Sequence, residues 1–518
     1  MTRPSGSPPV KVPAGRIVAF ALLLPAAMGA ACVFGFAPFY AWPVPLAALA
    51  SLFFVWTRSG SPLQAWLSGF AFGLGYFLAG VSWVYVSLHD FGSMPAVLAA
   101  IATFLFCAYL ALFPAAAGWL MARLVREAGP RRLVAAPALF VILEWLRGWL
   151  FTGFPWLTVG TSQAPGSPLA GFAPYVGAYG TSLAVAGAAA LLAAFGVSRA
   201  WSRTRVWIAA GFAALFLAGG VARLPAWTQP AGPAFSIALL QGNVAQELKW
   251  RDEVRTRTLL AYRQMIFDAQ ARVIVTPETA LPAFLDQLPP EYVDSIRRHA
   301  RETGKEILLG TVEREFRAGR EFDYYNSVVR FTGGKAESFR KRHLVPFGEF
   351  IPPGFNWVLA VLRIPMSDFA RGGEKQAPLR AAGVAFGVAI CYEDIFGEEV
   401  IDLLPEAQVL VNVSNDAWFG ESFAAEQHLQ ASQMRALETG RWMVRATNTG
   451  ATAAIDPTGR VAKRLPWFTV GTLVTDVVPM QGMTPYARFG NYPAILLSLL
   501  IAALALRRYP PMNADRHR

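Results

Sequence analysis

Long apolar runs fill most of the first 223 residues of the chain and return once near its C-terminus. Eight of these runs approach the ~20 residues that an α-helix needs to cross a hydrocarbon core about 30 Å thick. They cover residues 16–35, 43–57, 64–87, 95–122, 134–151, 178–197, 206–222 and 491–507. The pattern predicts a polytopic α-helical membrane region of about eight spans.

A different periodicity appears between residues 224 and 490, where short β-branched runs alternate with amphipathic stretches. This alternation is typical of strands that alternate with helices, and strands that are apolar along their whole length belong to a sheet covered on both faces. The predicted strands cover 235–243, 271–278, 306–312, 326–331, 408–415 and a run that ends at Cys391; the predicted helices cover 251–271, 289–303 and 424–440, and a pair of strands covers 443–461. This part of the chain is therefore predicted to fold as an α/β sandwich.

A Pro- and Gly-rich linker, RLPAWTQPAGP, separates the two patterns and begins at Arg223. We expect a transmembrane domain of about seven helices over 1–222, an extracytoplasmic domain over 223–490, and a transmembrane helix with a short cytoplasmic tail over 491–518. With 54% hydrophobic and 15% charged residues, the chain is too apolar for an ordinary soluble enzyme. The first apolar run leads into further spans, so no cleavable signal peptide is expected.

The distribution of positive charge predicts the orientation of the spans. The chain has a net charge of +12, and the basic residues of its apolar regions lie in the two tails and in alternate connections. These residues are Arg3, Lys11, Arg16, Arg58, Arg123, Arg126, Arg131, Arg132, Arg199, Arg203, Arg205, Arg507, Arg508, Arg516 and Arg518. The alternation follows the positive-inside rule, which places both termini in the cytoplasm and the large domain outside it. The same placement disfavours a nucleic-acid-binding role.

One of the three cysteines lies where a nucleophile is expected. Cys32 and Cys107 lie within long apolar runs and are interpreted as small core residues, whereas Cys391 ends a predicted strand. A thiol in that position is either an inert buried group or a nucleophile that needs a nearby base or cation. His343 and His428 are candidates for a Cys–His dyad, but the sequence indicates no orienting partner for either.

A carboxylate and an ammonium are the alternative activators of the thiol. Glu278 closes a predicted strand and is a candidate general base. Lys341 opens the run KRHLVPFGEF, where a cation would favour the thiolate and stabilise an oxyanion. Taken singly, each of these two residues is more simply interpreted as a surface charge. Taken jointly with Cys391, they favour a catalytic role.

Three sequence segments carry a resemblance to a known superfamily. TPETALP around Glu278, KRHLVPFGEF around Lys341 and AICYEDIF around Cys391 resemble the signature segments of the nitrilase superfamily. The seven preceding apolar runs, the one that follows, and the segments NDAWFG, MRALETGR and PYARFGN are similar to the bacterial apolipoprotein N-acyltransferases within it. The resemblance covers nearly the whole chain and implies a nitrilase-like αββα sandwich for the large domain.

The resemblance also implies roles for individual residues. Glu278 matches the general base, Lys341 the stabiliser of oxyanion and thiolate, and Cys391 the nucleophile of this family. Three residues match supporting positions of the active site, namely Glu349, Tyr392 and Glu393, and Trp250 matches a further position needed for activity, taken as substrate-binding. Separately from the resemblance, the apolar Trp418 and Phe419 are candidates for a lid over a lipid site, as are the segments 346–369 and 466–489. From the residues alone, Tyr392 and Glu393 are equally compatible with merely fixing the turn after Cys391, and Trp418 and Phe419 with ordinary packing.

The reaction implied by the resemblance has two half-reactions. The cysteine takes the sn-1 acyl chain of a phospholipid, typically phosphatidylethanolamine, as a thioester, and the α-amine of the S-diacylglyceryl cysteine of an apolipoprotein then accepts it. No cofactor is expected, and no metal, because no Cys/His cluster has ligand spacing. A monomer in the bacterial inner membrane with its catalytic domain on the periplasmic side is expected.

Two other classes of protein remain as alternatives. A membrane-tethered nitrilase-type amidase that hydrolyses small amides would use the same three residues but would not need seven preceding spans. A transporter would carry charged residues within several spans. Only Glu144 and Arg147, one helical turn apart in the fifth apolar run, fit that expectation. The two are also compatible with a structural role, for which they could pair, or with contact to a phospholipid headgroup.

Overall fold

The structure is a computed structural model that describes residues 19–198, 202–246, 249, 251–317, 320–331, 337–352, 354 and 368–506. Its N-terminal half is helical, and a single helix near the C-terminus packs against this region. The helices are α1 (Leu24–Cys32), α2 (Pro43–Arg58), α3 (Pro62–Val81), α4 (Ala96–Leu124), α5 (Arg132–Arg147), α6 (Ala173–Val197), α7 (Arg203–Val221), α8 (Asp252–Asp268), α9 (Pro290–Thr303), α10 (Gly397–Ile401), α11 (Ala424–Thr439), α12 (Pro485–Phe489) and α13 (Tyr492–Leu506).

Helices occur in all eight apolar runs, but length and composition support fewer spans than eight. In the described chain, three helical segments are long and apolar enough to cross a membrane: Ala96–Leu124, Pro168–Val197 and Arg203–Val221. The pair Pro62–Val81 and Val84–Phe91, bent by 57°, adds a fourth if it is one span. Shorter apolar helices account for three further runs. The predicted count of eight is therefore not confirmed, because several helices fall short of a full bilayer.

Glycines allow the membrane helices to approach closely. A Cβ on Gly69 of α3 would lie 2.5 Å from the carbonyl oxygen of Pro114 in α4, and one on Gly73 would lie 2.6 Å from the Pro114 ring. Small residues at such crossings let two backbones pack directly, which is the usual basis of helix association in lipid. Any larger residue at these two positions would push α3 and α4 apart.

Glu144 and Arg147 bind the loop that follows their helix instead of forming an ion pair with each other. Glu144 accepts a hydrogen bond from the backbone N–H of Val159 at 2.8 Å. Arg147 donates to the carbonyl oxygens of Phe154 and Trp156 at 2.5 and 2.8 Å. The two buried charged residues are thus structural anchors of the loop after α5, which is one of the roles that the sequence left open.

The α/β domain contains two six-stranded sheets and a two-stranded ribbon. The strands are β1 (Thr228–Pro230), β2 (Phe235–Gln241), β3 (Val273–Val275), β4 (Glu306–Arg317), β5 (Arg320–Phe331), β6 (Glu337–Arg340), β7 (Leu379–Ala381), β8 (Val384–Ile390), β9 (Val409–Ser414), β10 (Met443–Thr447), β11 (Ala453–Ile455), β12 (Val461–Arg464), β13 (Gly471–Val477) and β14 (Met480–Gly482). The sheets have the orders β13-β2-β3-β4-β5-β6 and β12-β11-β10-β9-β8-β7, and β1 pairs with β14. The neighbouring strands β2, β3 and β4 are parallel, as are β8, β9 and β10.

The two sheets face each other and helices cover their outer faces. Along β2, Phe235, Ile237 and Leu239 join the buried cluster between the sheets, whereas Ala238 and Leu240 join a second cluster under α8 and α9. Alternate residues of a strand point to opposite faces, so an all-apolar strand requires cover on both sides. The predicted α/β sandwich is confirmed, with layers in the order helix, sheet, sheet, helix.

The structure extends two predicted strands and adds others. β4 and β5 form an antiparallel hairpin that runs well beyond the predicted 306–312 and 326–331, and its outer part pairs charged and polar residues such as Glu315 with Asp323. β13, which pairs antiparallel with β2 at a sheet edge, was not predicted either. Both omissions have one cause: these strands pair through backbone hydrogen bonds in parts of the sequence that contain no apolar run.

Helix α11 joins the α/β domain to the membrane helices. It is buried along its whole length although it is rich in polar residues. Gln427 accepts from the indole N–H groups of Trp83 and Trp156 at 3.3 and 2.7 Å, and Glu438 accepts from the backbone N–H of Ala178 at 2.7 Å. These satisfied polar contacts fix the position of the catalytic domain over the helices.

Candidate active site

The segments singled out in the sequence meet at one end of the two sheets. Glu278 follows β3, Lys341 follows β6, and Cys391 follows β8. Parallel strands direct their carboxyl ends to the same edge, which is where α/β folds place ligand-binding residues. Glu278 and Lys341 are almost completely buried, and Cys391 is partly buried.

The backbone at Cys391 is held in a strained conformation. Its φ is +55°, a left-handed value that residues other than glycine seldom adopt, and it begins a 3₁₀ helix, Cys391–Ile395, where the sequence had predicted only a turn. The side-chain amide of Asn412 donates to the carbonyl oxygens of Cys391 and Ala389, at 2.9 and 3.2 Å. Strain of this kind is kept where the surrounding structure fixes it, and it is concentrated at functional sites.

The loop that carries Glu278 is held close to β4. The backbone N–H of Gly310 donates to the Thr276 hydroxyl at 2.9 Å, and the N–H of Ala280 donates to the Gly310 carbonyl at 2.9 Å. A Cβ at Gly310 would lie 2.0 Å from the carbonyl oxygen of Pro277, so only glycine permits this approach.

Four side chains form a connected polar cluster next to the thiol. Lys341 Nζ donates to Glu349 Oε1 at 2.8 Å and lies 3.5 Å from Glu278 Oε1. The Asn326 amide donates to both carboxylates, at 2.6 Å to Glu278 and 3.2 Å to Glu349. The Cys391 thiol interacts electrostatically with Glu278 and Lys341. The structure thus brings Glu278, Lys341 and Glu349 together beside Cys391.

The electrostatics of this cluster favour a charged lysine and a protonated thiol. Burial opposes the charge on Lys341, but the carboxylates of Glu349 and Glu278 outweigh it and raise the Lys341 pKa above its usual range. Burial, and next the charge on Glu278, raise the pKa of the Cys391 thiol, although Lys341 opposes this shift. The thiol is therefore neutral at rest, and a base must remove its proton before it can attack.

Two further residues of the site were missed in the sequence. Asn326 carries no signal of its own, since it is a single polar residue at the start of the strand-like run 326–331. Lys249 is buried, and its Nζ lies 3.4 Å from the carbonyl oxygen of Glu278. Burial lowers the pKa of Lys249 to about 8, and the charge of Glu278 opposes this shift. Lys249 lies in the mostly polar run QELKWRDE, so nothing in the local pattern marks it as buried.

Glu393 and Tyr392 lie beside the site and do not join the polar cluster. The Glu393 carboxylate accepts from the backbone N–H groups of Ile390 at 2.7 Å, Arg342 at 2.7 Å and His343 at 3.1 Å, so it binds the Lys341 loop to the Cys391 turn. Burial, reinforced by nearby charge, raises its pKa to about 7. Tyr392 points to the helical region, where its hydroxyl donates to the carbonyl of Gly153 at 3.2 Å.

The two candidate histidines have partners that the sequence did not indicate. His343 Nδ1 lies 2.6 Å from Glu399 Oε1. His428 lies in a buried charge cluster behind the Cys391 turn: its Nε2 is 2.7 Å from Asp394 and 3.2 Å from the carbonyl oxygen of Cys391, and its Nδ1 is 3.2 Å from Asp416. His428 thus contacts the main-chain carbonyl of Cys391. This contact makes it a structural support of the turn and not the base of a Cys–His dyad.

Arg445 completes the cluster behind the turn. It donates to Asp394 at 2.9 Å and lies 3.5 Å from Asp416. Burial opposes ionisation of both aspartates, but His428 and Arg445 outweigh it and lower their pKa values. Burial and Arg445 disfavour protonation of His428, yet the two aspartates outweigh them and raise its pKa. The cluster is therefore a set of mutually compensated charges.

The predicted substrate-binding or lid residues lie at the boundary with the membrane helices. The Trp418 carbonyl accepts from the Ser87 hydroxyl at 2.7 Å, and the Phe419 ring lies 4.7 Å from that of Trp83. Both are partly buried by these contacts. Trp250 lies outside the described residues.

Two family descriptions match this chain. "Apolipoprotein N-acyltransferase N-terminal domain" matches residues 28–191, and "Carbon-nitrogen hydrolase" matches residues 236–486. The apolipoprotein N-acyltransferase of Nitrosomonas europaea is 50% identical over 491 residues, which cover 94% of this chain and 97% of that protein. The one from Ralstonia nicotianae is 45% identical over 514 residues, which cover 96% and 95%. The C. elegans NitFhit structure aligns with 52% of this chain and 65% of its own at 17% identity, with a TM-score of 0.38.

The sandwich with its glutamate, lysine and cysteine segments belongs to the carbon–nitrogen hydrolase, or nitrilase, class, here joined to membrane helices. Within that class, the chain belongs to the apolipoprotein N-acyltransferase family and is an acyltransferase. It is a membrane protein with several candidate spans. The family resemblance drawn from the three sequence segments is confirmed.

Proposed function

We propose that this chain moves the sn-1 acyl chain of a phospholipid, phosphatidylethanolamine foremost, through a thioester on Cys391 to the α-amine of the S-diacylglyceryl cysteine of apolipoproteins. The observation that carries the assignment is the cluster in which Lys341 Nζ lies 2.8 Å from Glu349 and 3.5 Å from Glu278, next to the thiol. The near full-length likeness to apolipoprotein N-acyltransferases supports the acceptor class.

In the first half-reaction, Glu278 takes the proton of the Cys391 thiol and the sulfur attacks the ester carbonyl. The raised pKa of this thiol makes a neighbouring base necessary. Lys341 donates a hydrogen bond to the oxyanion of the tetrahedral intermediate. The intermediate collapses by breaking the C–O bond, and Glu278 returns its proton to the oxygen of the departing lysophospholipid.

In the second half-reaction, the free amine of the acceptor attacks the thioester carbonyl. Glu278 takes a proton from the attacking nitrogen, the C–S bond breaks, and the thiolate regains the proton. The product is an amide, and the thiol is restored. Two products that leave in separate steps predict ping-pong kinetics.

The membrane arrangement proposed with this chemistry has eight spans and both termini in the cytoplasm, with the domains 1–222, 223–490 and 491–518. The catalytic domain then lies on the periplasmic side of the bacterial inner membrane. The alternating charge of the connections supports this orientation. The packing of the catalytic domain onto its own helices through α11 supports a monomer as the working unit.

The test is incubation of the purified full-length protein with phosphatidylethanolamine and a diacylated lipopeptide, followed by mass spectrometry. A third acyl chain on the lipopeptide and a hydroxylamine-labile acyl group on Cys391 are expected. Cys391→Ala should abolish both signals, whereas Cys107→Ala, a matched change of a thiol in a membrane helix, should leave both in place. Turnover by Cys391→Ala, or hydrolysis to free fatty acid alone, would contradict the proposal, and the second outcome would favour the amidase alternative.

A further inference from the structure

A cavity of about 270 Å³ lies between the membrane helices and the catalytic domain. Its walls come from the end of α5 and the loop after it, from α6, from α11, and from the stretch Ile395–Glu399 that continues the 3₁₀ helix of Cys391. Glu278, Lys341 and Cys391 do not line it. The cavity is thus separate from the catalytic cluster but is built on the same short helix as the nucleophile.

Six buried polar atoms on residues that line this cavity have no hydrogen-bond partner among the described residues; Glu399 Oε2 and Arg435 Nε lie in ion pairs with Arg342 and Glu438, and the other four have no charged partner either. These four are Trp145 Nε1, Thr152 Oγ1, His343 Nε2 and Asn491 Oδ1. Asn491 is only 4% exposed. Buried polar groups almost always have a partner, and four orphans on one cavity are therefore a specific feature of this wall. The cavity far exceeds the space of one water molecule.

The chemistry of the orphans describes the ligand that would satisfy them. Asn491 donates from its amide to Glu398, which leaves Oδ1 as an acceptor. His343 Nδ1 lies 2.6 Å from Glu399 Oε1, so Nε2 accepts a hydrogen bond when the ring is neutral. Together with the Glu398 carboxyl group, whose pKa burial raises, this side of the cavity accepts hydrogen bonds, which suits an ammonium group. The cation on the same wall, Arg435, is paired with Glu438 at 2.8 Å. The indole N–H of Trp145 is a donor only and suits an anionic oxygen.

The cavity is also placed where lipid headgroups lie. Trp149, which lines it, is 50% exposed, and Tyr492, next to Asn491, is 76% exposed. Both residues lie at the ends of apolar helices, where tryptophan and tyrosine mark the membrane–water interface. Exposed aromatic rings beside the cavity indicate that a lipid in the outer interface can reach its mouth.

We propose that this cavity binds the phosphoethanolamine headgroup of a membrane phospholipid, with the ammonium at Glu398, Asn491 and His343 and a phosphate oxygen at the Trp145 indole. The assignment rests on the proposed function, because the lipid in question is the acyl donor. The acyl chains would remain in the bilayer beside α5 and α13. Selection of the donor by its headgroup would thus be made outside the catalytic cluster.

Headgroup preference of the full-length enzyme tests this assignment. Rates of triacylation are compared for phosphatidylethanolamine and phosphatidylglycerol of identical acyl chains in mixed micelles. The unmodified protein should prefer the ethanolamine lipid, and Glu398→Gln should lower that ratio about tenfold, the effect of weakening one hydrogen bond to a charged group. Asn491→Leu should lower it as well. Glu406→Gln, an exposed carboxylate outside the cavity, should leave the ratio unchanged.

An unchanged ratio in both cavity variants would overturn the inference while triacylation itself continued. Failure of the proposed function has a different signature, since the unmodified protein would then acylate no lipopeptide from either donor.

A binding measurement without turnover is the second arm. Cys391→Ala protein in dodecyl maltoside should retain phosphatidylethanolamine over phosphatidylglycerol in native mass spectra, and adding Glu398→Gln should remove this preference. Equal retention of the two lipids would mean that the cavity does not select the headgroup and would overturn the assignment. Displacement of the lipid by an equimolar amount of soluble glycerophosphoethanolamine would overturn the assignment to a membrane lipid. Melting curves of both proteins check that the substitutions leave the fold intact.

Discussion

Two buried charge clusters lie on opposite sides of the Cys391 turn, and they differ in balance. The front cluster, Glu278, Asn326, Lys341 and Glu349, places two carboxylates around one ammonium. The rear cluster places two aspartates, Asp394 and Asp416, against Arg445 and a histidine whose pKa is raised. Counted as ionised groups, these four front side chains have one negative charge in excess, which the neighbouring Lys249 offsets where it is protonated, whereas the rear set is neutral.

Because of this difference, the front cluster can take up a proton, whereas protonating the rear cluster costs free energy. An unmatched carboxylate beside a neutral thiol is what a general base requires. In the rear cluster each aspartate contacts both cations, and a proton gained there would break a compensated pair. Burial alone does not distinguish the two clusters, since both are largely buried. The balance of charge, and the thiol next to the front cluster, distinguish them.

The largest expected effect concerns the front cluster. Glu278→Gln should reduce triacylation about 10³- to 10⁴-fold, because the variant keeps the shape of the side chain and loses the base. Glu349→Gln should reduce it only about 10- to 100-fold, because Lys341 keeps its contact with Glu278. Both are measured as initial rates by mass spectrometry of the lipopeptide. Equal losses in the two variants would show that the carboxylates do not have separate roles.

Arg445→Met tests the rear cluster and should act on stability. Removing one partner of a buried ion pair typically lowers the free energy of unfolding by about 3–5 kcal/mol, because the other charge is left uncompensated. Thermal unfolding in detergent, followed by tryptophan fluorescence, measures the loss. Adding Asp394→Asn should restore part of it. A single variant that melts like the unmodified protein would refute the view of this cluster as a compensated structural unit.

Glu393, which ties the two sides together, should make stability fall with rising pH. Its pKa is raised from 4.5 to about 7, so the folded state binds the proton more tightly than the unfolded state. Its contribution is therefore full below pH 4.5 and is lost as the pH rises to 7, by about 3 kcal/mol. Glu393→Gln should remove this slope. Denaturant unfolding of both proteins at pH 5 and pH 8 measures it, and parallel changes would contradict the shift.

Of these variants, Asn326→Leu should have the smallest effect. The amide donates to both front carboxylates, and loss of hydrogen bonds to charged groups is worth about 1.5–3 kcal/mol, or roughly a 10- to 100-fold fall in rate. The loss should appear in the rate of acyl-enzyme formation with little change in melting temperature. Gln264→Leu, a matched amide on an exposed helix face, is the control. A lower melting temperature with a normal rate would make Asn326 a purely structural residue.

The sequence alone determined the two regions, the alternation of strands and helices, and the three segments around Glu278, Lys341 and Cys391. These features are local: a run of apolar residues, an alternation along one strand, or a reactive residue after a strand. Because both faces of β2 and β8 are covered, their strands appear as continuous apolar runs. The charged half of the β4–β5 hairpin and strand β13 were not predicted, because these strands form by backbone pairing with a neighbouring strand and no apolar run marks them in the sequence.

Only the tertiary structure decided which polar residues meet. Asn326 reaches Glu278 across 48 positions, and Arg445 reaches Asp394 across 51. Nothing in either local pattern marks these pairs, since a buried polar residue is stable only when a partner arrives from elsewhere in the chain. For the same reason, the sequence could not show that His428 supports the Cys391 turn and is not a base. Nor could it show that Glu144 and Arg147 bind the loop after α5. The number of helices that cross the membrane is likewise not fixed by the apolar runs, because three of these runs form helices shorter than a full span.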